Sequence, residues 1–138
     1  MVMTLETDYA VRIVESLSKA GQKIDAHAIS VQAEVPLRFT LKILRKLVES
    51  GLIISYRGAH GGYRLAREPG RITLREVIES VGGPYMLNRC QQGEYCCTHT
   101  TSCRFHEIYN EISALVRTKL DSYNFENLED GKTEKKKV

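Results

Sequence analysis

A chain of 138 residues, 42% hydrophobic and 27% charged, has the balance of one globular domain with room for a small core. No apolar run approaches the length of a membrane span, so a membrane partner is not expected. The net charge is only +3, but it is unevenly spread. Between Pro36 and Arg75 stand Arg38, Lys42, Arg45, Lys46, Arg57, Arg64, Arg67, Arg71 and Arg75, against Glu49 and Glu68 alone. Such a segment is an electrostatic footprint for nucleic acid, with a solvated basic face as the bland alternative.

Residues Thr7 to about Lys19 have the spacing of a helix, with Ala10, Ile13, Val14 and Leu17 on one face. Thr7 or Asp8 is placed to cap it. Gly21 breaks it. Asp25 then reads as the N-cap of a short helix over about 26–33, with Ile29 and Ala33 inward. Glu34-Val35-Pro36 forms a turn. A basic helix follows from about Leu37 to Ser50, with an apolar stripe of Leu37, Leu41, Leu44, Leu47 and Val48. Gly51 stands where a C-terminal glycine cap belongs. Short helix, tight turn and longer basic helix make a helix-turn-helix, whose second helix enters the major groove. Arg38, Phe39, Thr40 and Lys42 are then the candidates for base contact.

The next stretch favours this reading over a helical hairpin without function. Residues 52–57 are β-rich, 58–62 are a glycine-rich turn, and 63–66 return as a second strand. A hairpin with basic flanks after a helix-turn-helix is a wing, and Arg57 and His60 are placed to reach backbone phosphate or the minor groove. Gly61-Gly62 lies between two strands, so no phosphate-binding loop is met. Thr73 and Glu76 have capping-box spacing and open a helix to about Val81. Gly82-Gly83-Pro84 ends it.

Cys90, Cys96, Cys97 and Cys103 gather within Cys90–His106, with His99 and His106. The region 82–101 has neither helix nor strand period, and a loop of that length in a small domain is usually functional or disordered. Clustered thiols with imidazole nearby suit zinc or an iron–sulfur cluster. Disulfides are the duller alternative, but they expect an exported chain. The stretch 1–20 is amphipathic and charged rather than a signal peptide, so a cytoplasmic location is expected. The intervals of five or six residues are more open than the tight pairs of structural zinc sites. From about Ser102 to Tyr123 the helical pattern resumes, with Phe105, Ile108, Tyr109, Ile112, Leu115, Val116 and Leu120 on one face. Its length, read as about twice that of the other helices, leaves more apolar surface than a winged helix covers. A two-fold dimer is the economical answer, and a monomer with the helix folded back is the alternative. The polar end after Leu128 reads as disordered.

TDYAVR at 7–12, RGAHGGYRLA at 57–66, ITLREVIESV at 72–81 and the cysteine loop together resemble the IscR/NsrR-type bacterial transcription regulators, the family named for the second Rrf protein. The resemblance covers about residues 1–128. It implies a homodimer on double-stranded operator DNA, holding an iron–sulfur cluster of two or four irons through three cysteines and one other ligand. Cluster state then alters DNA affinity and reports iron or cluster supply, nitric oxide or redox stress. The family's second cysteine interval is usually five residues, so the ligands carried over are Cys90, Cys97 and Cys103, with Cys96 the alternative in the middle. The fourth ligand is Asp8, which resembles an aspartate given by the partner subunit in NsrR. Its alternative is His106, one turn after Cys103, which resembles the histidine ligand of IscR.

The expected fold is mainly α with a small β-hairpin wing, a winged helix-turn-helix followed by a long C-terminal dimerisation helix. It divides into a DNA-binding domain over 1–83, a cluster-binding loop over 84–101, a dimerisation segment over 102–128 and a tail over 129–138. A zinc-stabilised or cluster-free regulator is the nearest alternative function. A thiol redox enzyme is the other, but no CxxC or cofactor fingerprint supports it, and neither an enzyme nor a small-molecule substrate is expected.

Overall fold

The computed structural model describes residues 3–87 and 104–129, with the side chains of 127 and 129 excepted. The four cysteines and His99 lie outside the described residues, as do residues 130–138 of the tail expected to be disordered over 129–138, whose first residue instead ends a helix.

Helix α1, Leu5–Ala20, is the central element and touches α2, Ala26–Ala33, α3, Leu37–Glu49, and α4, Leu74–Gly82. Its start differs from the sequence expectation. Thr4, not Thr7 or Asp8, is the N-cap, and its hydroxyl accepts from the Thr7 amide. Thr7 is buried instead, and its hydroxyl lies 2.8 Å from that of Thr4. Helix α1 supplies Ala10, Ile13, Val14 and Leu17 to the core, alongside Ile29, Ile43, Leu44, Leu47, Ile53, Ile72 and Val77 among others.

Asp25 caps α2 as expected, accepting from the Ala28 amide at 2.8 Å. The turn to α3 passes through Glu34 in the left-handed region, φ 55°. Two hydroxyls lock this turn: Ser30 donates to the Val35 carbonyl, and Thr40 is placed to donate to the carbonyls of Val35 and Pro36. Helix α3 ends with Gly51 at φ 79°. The Gly51 amide donates to Val48 and the Leu52 amide to Leu47, a Schellman closure with Leu47 and Leu52 both buried.

Strands β1, Ile53–Tyr56, and β2, Gly62–Leu65, pair antiparallel with Ile53 opposite Leu65 and Tyr56 opposite Gly62. Ile24 adds a one-residue bridge to Tyr63. A side chain at Gly62 would put Cβ 2.7 Å from the Ile24 carbonyl oxygen, and one at Gly61 would put it 2.6 Å from that of Tyr56. Close backbone approach therefore requires both glycines. The Thr73–Glu76 capping box opens α4 as expected.

Helix α5, Arg104–Asp121, has 18 residues, about twice α2 and α4 with 8 and 9, but close to α1 with 16, so the expected length ratio holds against the short helices only. It is followed by a short helix, α6, Phe125–Glu129, for which the sequence pattern held no separate expectation. Asn124 caps α6 by accepting from the Glu126 amide. Phe125 is 1% exposed and belongs to the core. Its amide donates to the Ile72 carbonyl, and the Leu74 amide donates to that of Tyr123, which fastens the end of the chain to the start of α4. The result is the expected fold: mainly helical, with a two-stranded wing.

Candidate nucleic-acid interface and metal-ligand segment

The buried arc of α3 is Thr40, Ile43, Leu44 and Leu47. This corrects the stripe read from sequence, because Leu37 and Leu41 are 41% and 46% exposed. The arc is fixed by where α1 and α2 pack, and Ile43 points there. The outward face of α3 then carries Leu37, Arg38, Leu41, Lys42 and Arg45, all exposed. Arg45 and the two leucines were absent from the expected contact set.

The expected contact residues divide sharply. Arg38 is exposed and lies over the Phe39 ring, 4.7 Å from its centroid. Phe39 is half-buried and packs against Tyr9 of α1, with centroids 5.9 Å apart. Thr40 is fully buried, with its hydroxyl facing the turn, so it holds the turn and presents nothing outward. That expectation is corrected: a residue at the right sequence position faces the wrong side of the helix. Arg57 and His60 are exposed in the hairpin turn, as the wing reading requires.

Lys42 is exposed but paired. Glu6 of α1 binds Lys42 and Lys46, the latter at 3.1 Å. The hydrogen bond from Lys42, then that from Lys46, holds the Glu6 carboxyl below the usual carboxylate range. One acid at the start of α1 thus partly neutralises two cations of α3. Nothing in the sequence pattern alone brings residues 36 and 40 positions apart together.

The approach to the cysteines is tightly held. The Tyr85 amide donates to Glu79 Oε1 at 3.2 Å. Arg117 Nε donates to the Tyr85 carbonyl at 2.9 Å, and the Leu87 amide donates to the Ser113 hydroxyl at 3.0 Å. Ser113 is fully buried. Leu87 therefore lies beside the middle of α5 at Ser113, nine residues and about 13.5 Å along the axis from Arg104, the first residue of that helix. An apolar hollow of about 400 Å³ lies here, lined by Thr7, Ile78, Pro84, Met86, Val116 and Leu120 among others. It joins the start of α1, the end of α4 and α5.

The two candidates for a fourth ligand differ. Asp8 pairs with Arg12 at 3.1 Å, and its side chain is 39% exposed. His106 Nδ1 is buried and has no hydrogen-bond partner. Buried polar atoms nearly always have one, so an orphaned ring nitrogen three residues after Cys103 in the sequence fits a metal ligand. Among the described residues no three His, Cys, Asp or Glu side chains converge on a cation site.

A family model described as "Rrf2: Iron-dependent Transcriptional regulator" matches residues 3–131. The chain is similar to the HTH-type transcriptional regulator IscR of Xenorhabdus nematophila, at 30% identity over 93% of this chain and 79% of the relative. It is similar to Protein rrf2 of Nitratidesulfovibrio vulgaris, at 25% identity over 93% of this chain and 87% of that one. Among solved structures, CymR, the global cysteine regulator of B. subtilis, superposes with a TM-score of 0.72 at 25% identity, covering 93% of this chain and 95% of that one. T. potens IscR shares the fold, with a TM-score of 0.71 at 20% identity over 94% and 87% of the two chains. The resemblance carried by the TDYAVR, wing and ITLREVIESV segments is thereby borne out. With its winged helix, cationic third helix and match over nearly the whole chain, the protein belongs to the Rrf2 family of transcriptional regulators.

Proposed function

We propose that the protein is a homodimeric regulator whose affinity for operator DNA is set by an iron–sulfur cluster. Arg38, Lys42 and Arg45 of α3 and Arg57 and His60 of the wing face the DNA on this reading. Cys90, Cys97 and Cys103 hold the cluster, with Cys96 the alternative in the middle position. The observation that carries the reading is His106, three residues after Cys103 in the sequence, whose buried Nδ1 lacks a partner. That favours His106 as the fourth ligand over Asp8, which is already paired with Arg12. Imidazole also sits better beside thiolates than a harder carboxylate does. The iron-dependence in the family's description points the same way.

The cluster, when bound, supplies a centre sensitive to iron supply, nitric oxide or oxidant. The chain's own residues carry the consequence. Glu79, Ser113 and Arg117 fasten residues 85–87 to α4 and α5. A loop tied down at both ends restrains these helices, and an untied loop leaves them free to shift around the hollow beside α1. DNA affinity changes only as far as the two arrangements bind the operator differently.

A cluster-free reading draws on the likeness to CymR, named as a cysteine regulator, and a zinc-stabilised form is its close variant. Anaerobic purification separates the readings, because a cluster protein is brown and the others are colourless. His106→Ala and Asp8→Ala are then compared by iron and sulfide content and by absorption spectrum. We expect a labile cluster or altered spectrum in His106→Ala and a wild-type spectrum in Asp8→Ala. The reverse outcome assigns Asp8, and a colourless wild-type protein refutes the cluster.

A further inference from the structure

Helix α3 exposes two leucines on a face otherwise dominated by cations. Leu37 and Leu41 stand one turn apart, 41% and 46% exposed, with Arg38, Lys42 and Arg45 exposed beside them. Neither is needed by the core, whose α3 contribution is Thr40, Ile43, Leu44 and Leu47. A lone exposed leucine requires no explanation. A leucine pair in the first two turns of a cationic recognition helix is different, because these turns meet base edges in the major groove. The groove offers one apolar group there, the C5-methyl of thymine. The flanking cations draw in a polyanion, whereas the core of a protein–protein contact is depleted of charge.

We infer that Leu37 and Leu41 read thymine methyl groups, so that each operator half-site carries a thymine facing each leucine. This rests on the DNA-binding role given to α3 above and deepens it by naming the base. The leucines supply apolar readout, while Arg38 and Arg45 supply hydrogen-bond donors and charge. Thr40, one of the candidates for base contact by sequence position, is buried and takes no part.

Thymine-to-uracil interference tests this. Duplexes are first selected from a random pool with the full chain. Each thymine is then replaced in turn by deoxyuridine, which keeps the pairing and the O4 acceptor and removes only the methyl. Wild-type affinity should fall about fourfold per buried methyl at symmetric positions. In Leu41→Ala the interference should vanish at one of those positions, and in Leu37→Ala at the other. Both residues are exposed and alanine is the better helix former, so the fold should persist; circular dichroism checks this. Uracil without effect at every position would overturn the inference. So would identical interference in wild type and both variants. An altered sedimentation coefficient for Leu41→Ala with unchanged interference would assign the leucines to a protein contact and also overturn it. A pool that yields no enriched duplex would instead sink the DNA-binding reading of α3, and this inference with it.

Discussion

At the scale of single residues, neighbouring positions on α3 do opposite work. The buried Thr40 hydroxyl satisfies turn carbonyls, so Thr40→Val should lower stability to urea by about 1 kcal/mol and leave operator affinity unchanged. Arg57 is exposed in the wing, so Arg57→Ala should leave stability unchanged, weaken binding to all sequences and reduce the salt slope by about one. Equal operator binding by Arg57→Ala and wild type at several salt concentrations would contradict the wing assignment. Glu6 adds a pH dependence of known sign. Its carboxyl is held low by Lys42 and Lys46, so the bridge contributes above the unfolded value and is lost as pH falls through the folded one. Being exposed, it contributes little to stability. Its consequence is for charge, since Glu6 offsets part of the cationic face of α3 and ceases to do so in acid. The sequence announced the basic residues but not which were paired, because that pairing spans two helices.

At the scale of elements, caps and turns were legible apart from the Thr4 cap of α1, and helix faces were less so. Asp25, Thr73 with Glu76, and Gly51 announce their roles locally, because a cap needs only neighbouring residues. The stripe of α3 was misread because two registers are both rich in leucine, and only packing against α1 and α2 chooses between them. Helix α6 escaped notice because its five residues are too few to show a period. Asn124 before Phe125 was the available signal. The expected apolar face of α5 proved to be split. Val116 and Leu120 line the hollow against α1 and α4, while Phe105, Ile112 and Leu115 are 61%, 39% and 65% exposed. That outward row at heptad-like spacing is where a second copy is expected to pack. Leu115→Glu should weaken self-association about tenfold or more while preserving the fold. Sedimentation velocity across concentrations measures this, and an unchanged dimer would place the interface elsewhere.

At the scale of the whole molecule, the cationic helix α3 and residues 85–87, which lead to the cysteines, are joined through α1, α4 and α5. The order of parts was legible from the chain: winged helix, thiol segment, long helix. The way they are tied was not. The Arg117 and Ser113 bonds to residues 85–87 and the docking of Phe125 into the core are long-range contacts with no local signature. They make the approach to the cysteines part of the packed body, so a ligand that restrains the loop can bear on the placement of α3. The most direct test is to measure one selected operator against the anaerobic cluster-loaded protein and the same preparation after cluster removal, by fluorescence anisotropy at fixed salt. The account predicts clearly different affinities for the two forms, with the difference lost in Cys97→Ser. Equal affinities for both forms, across several selected operators, would contradict it.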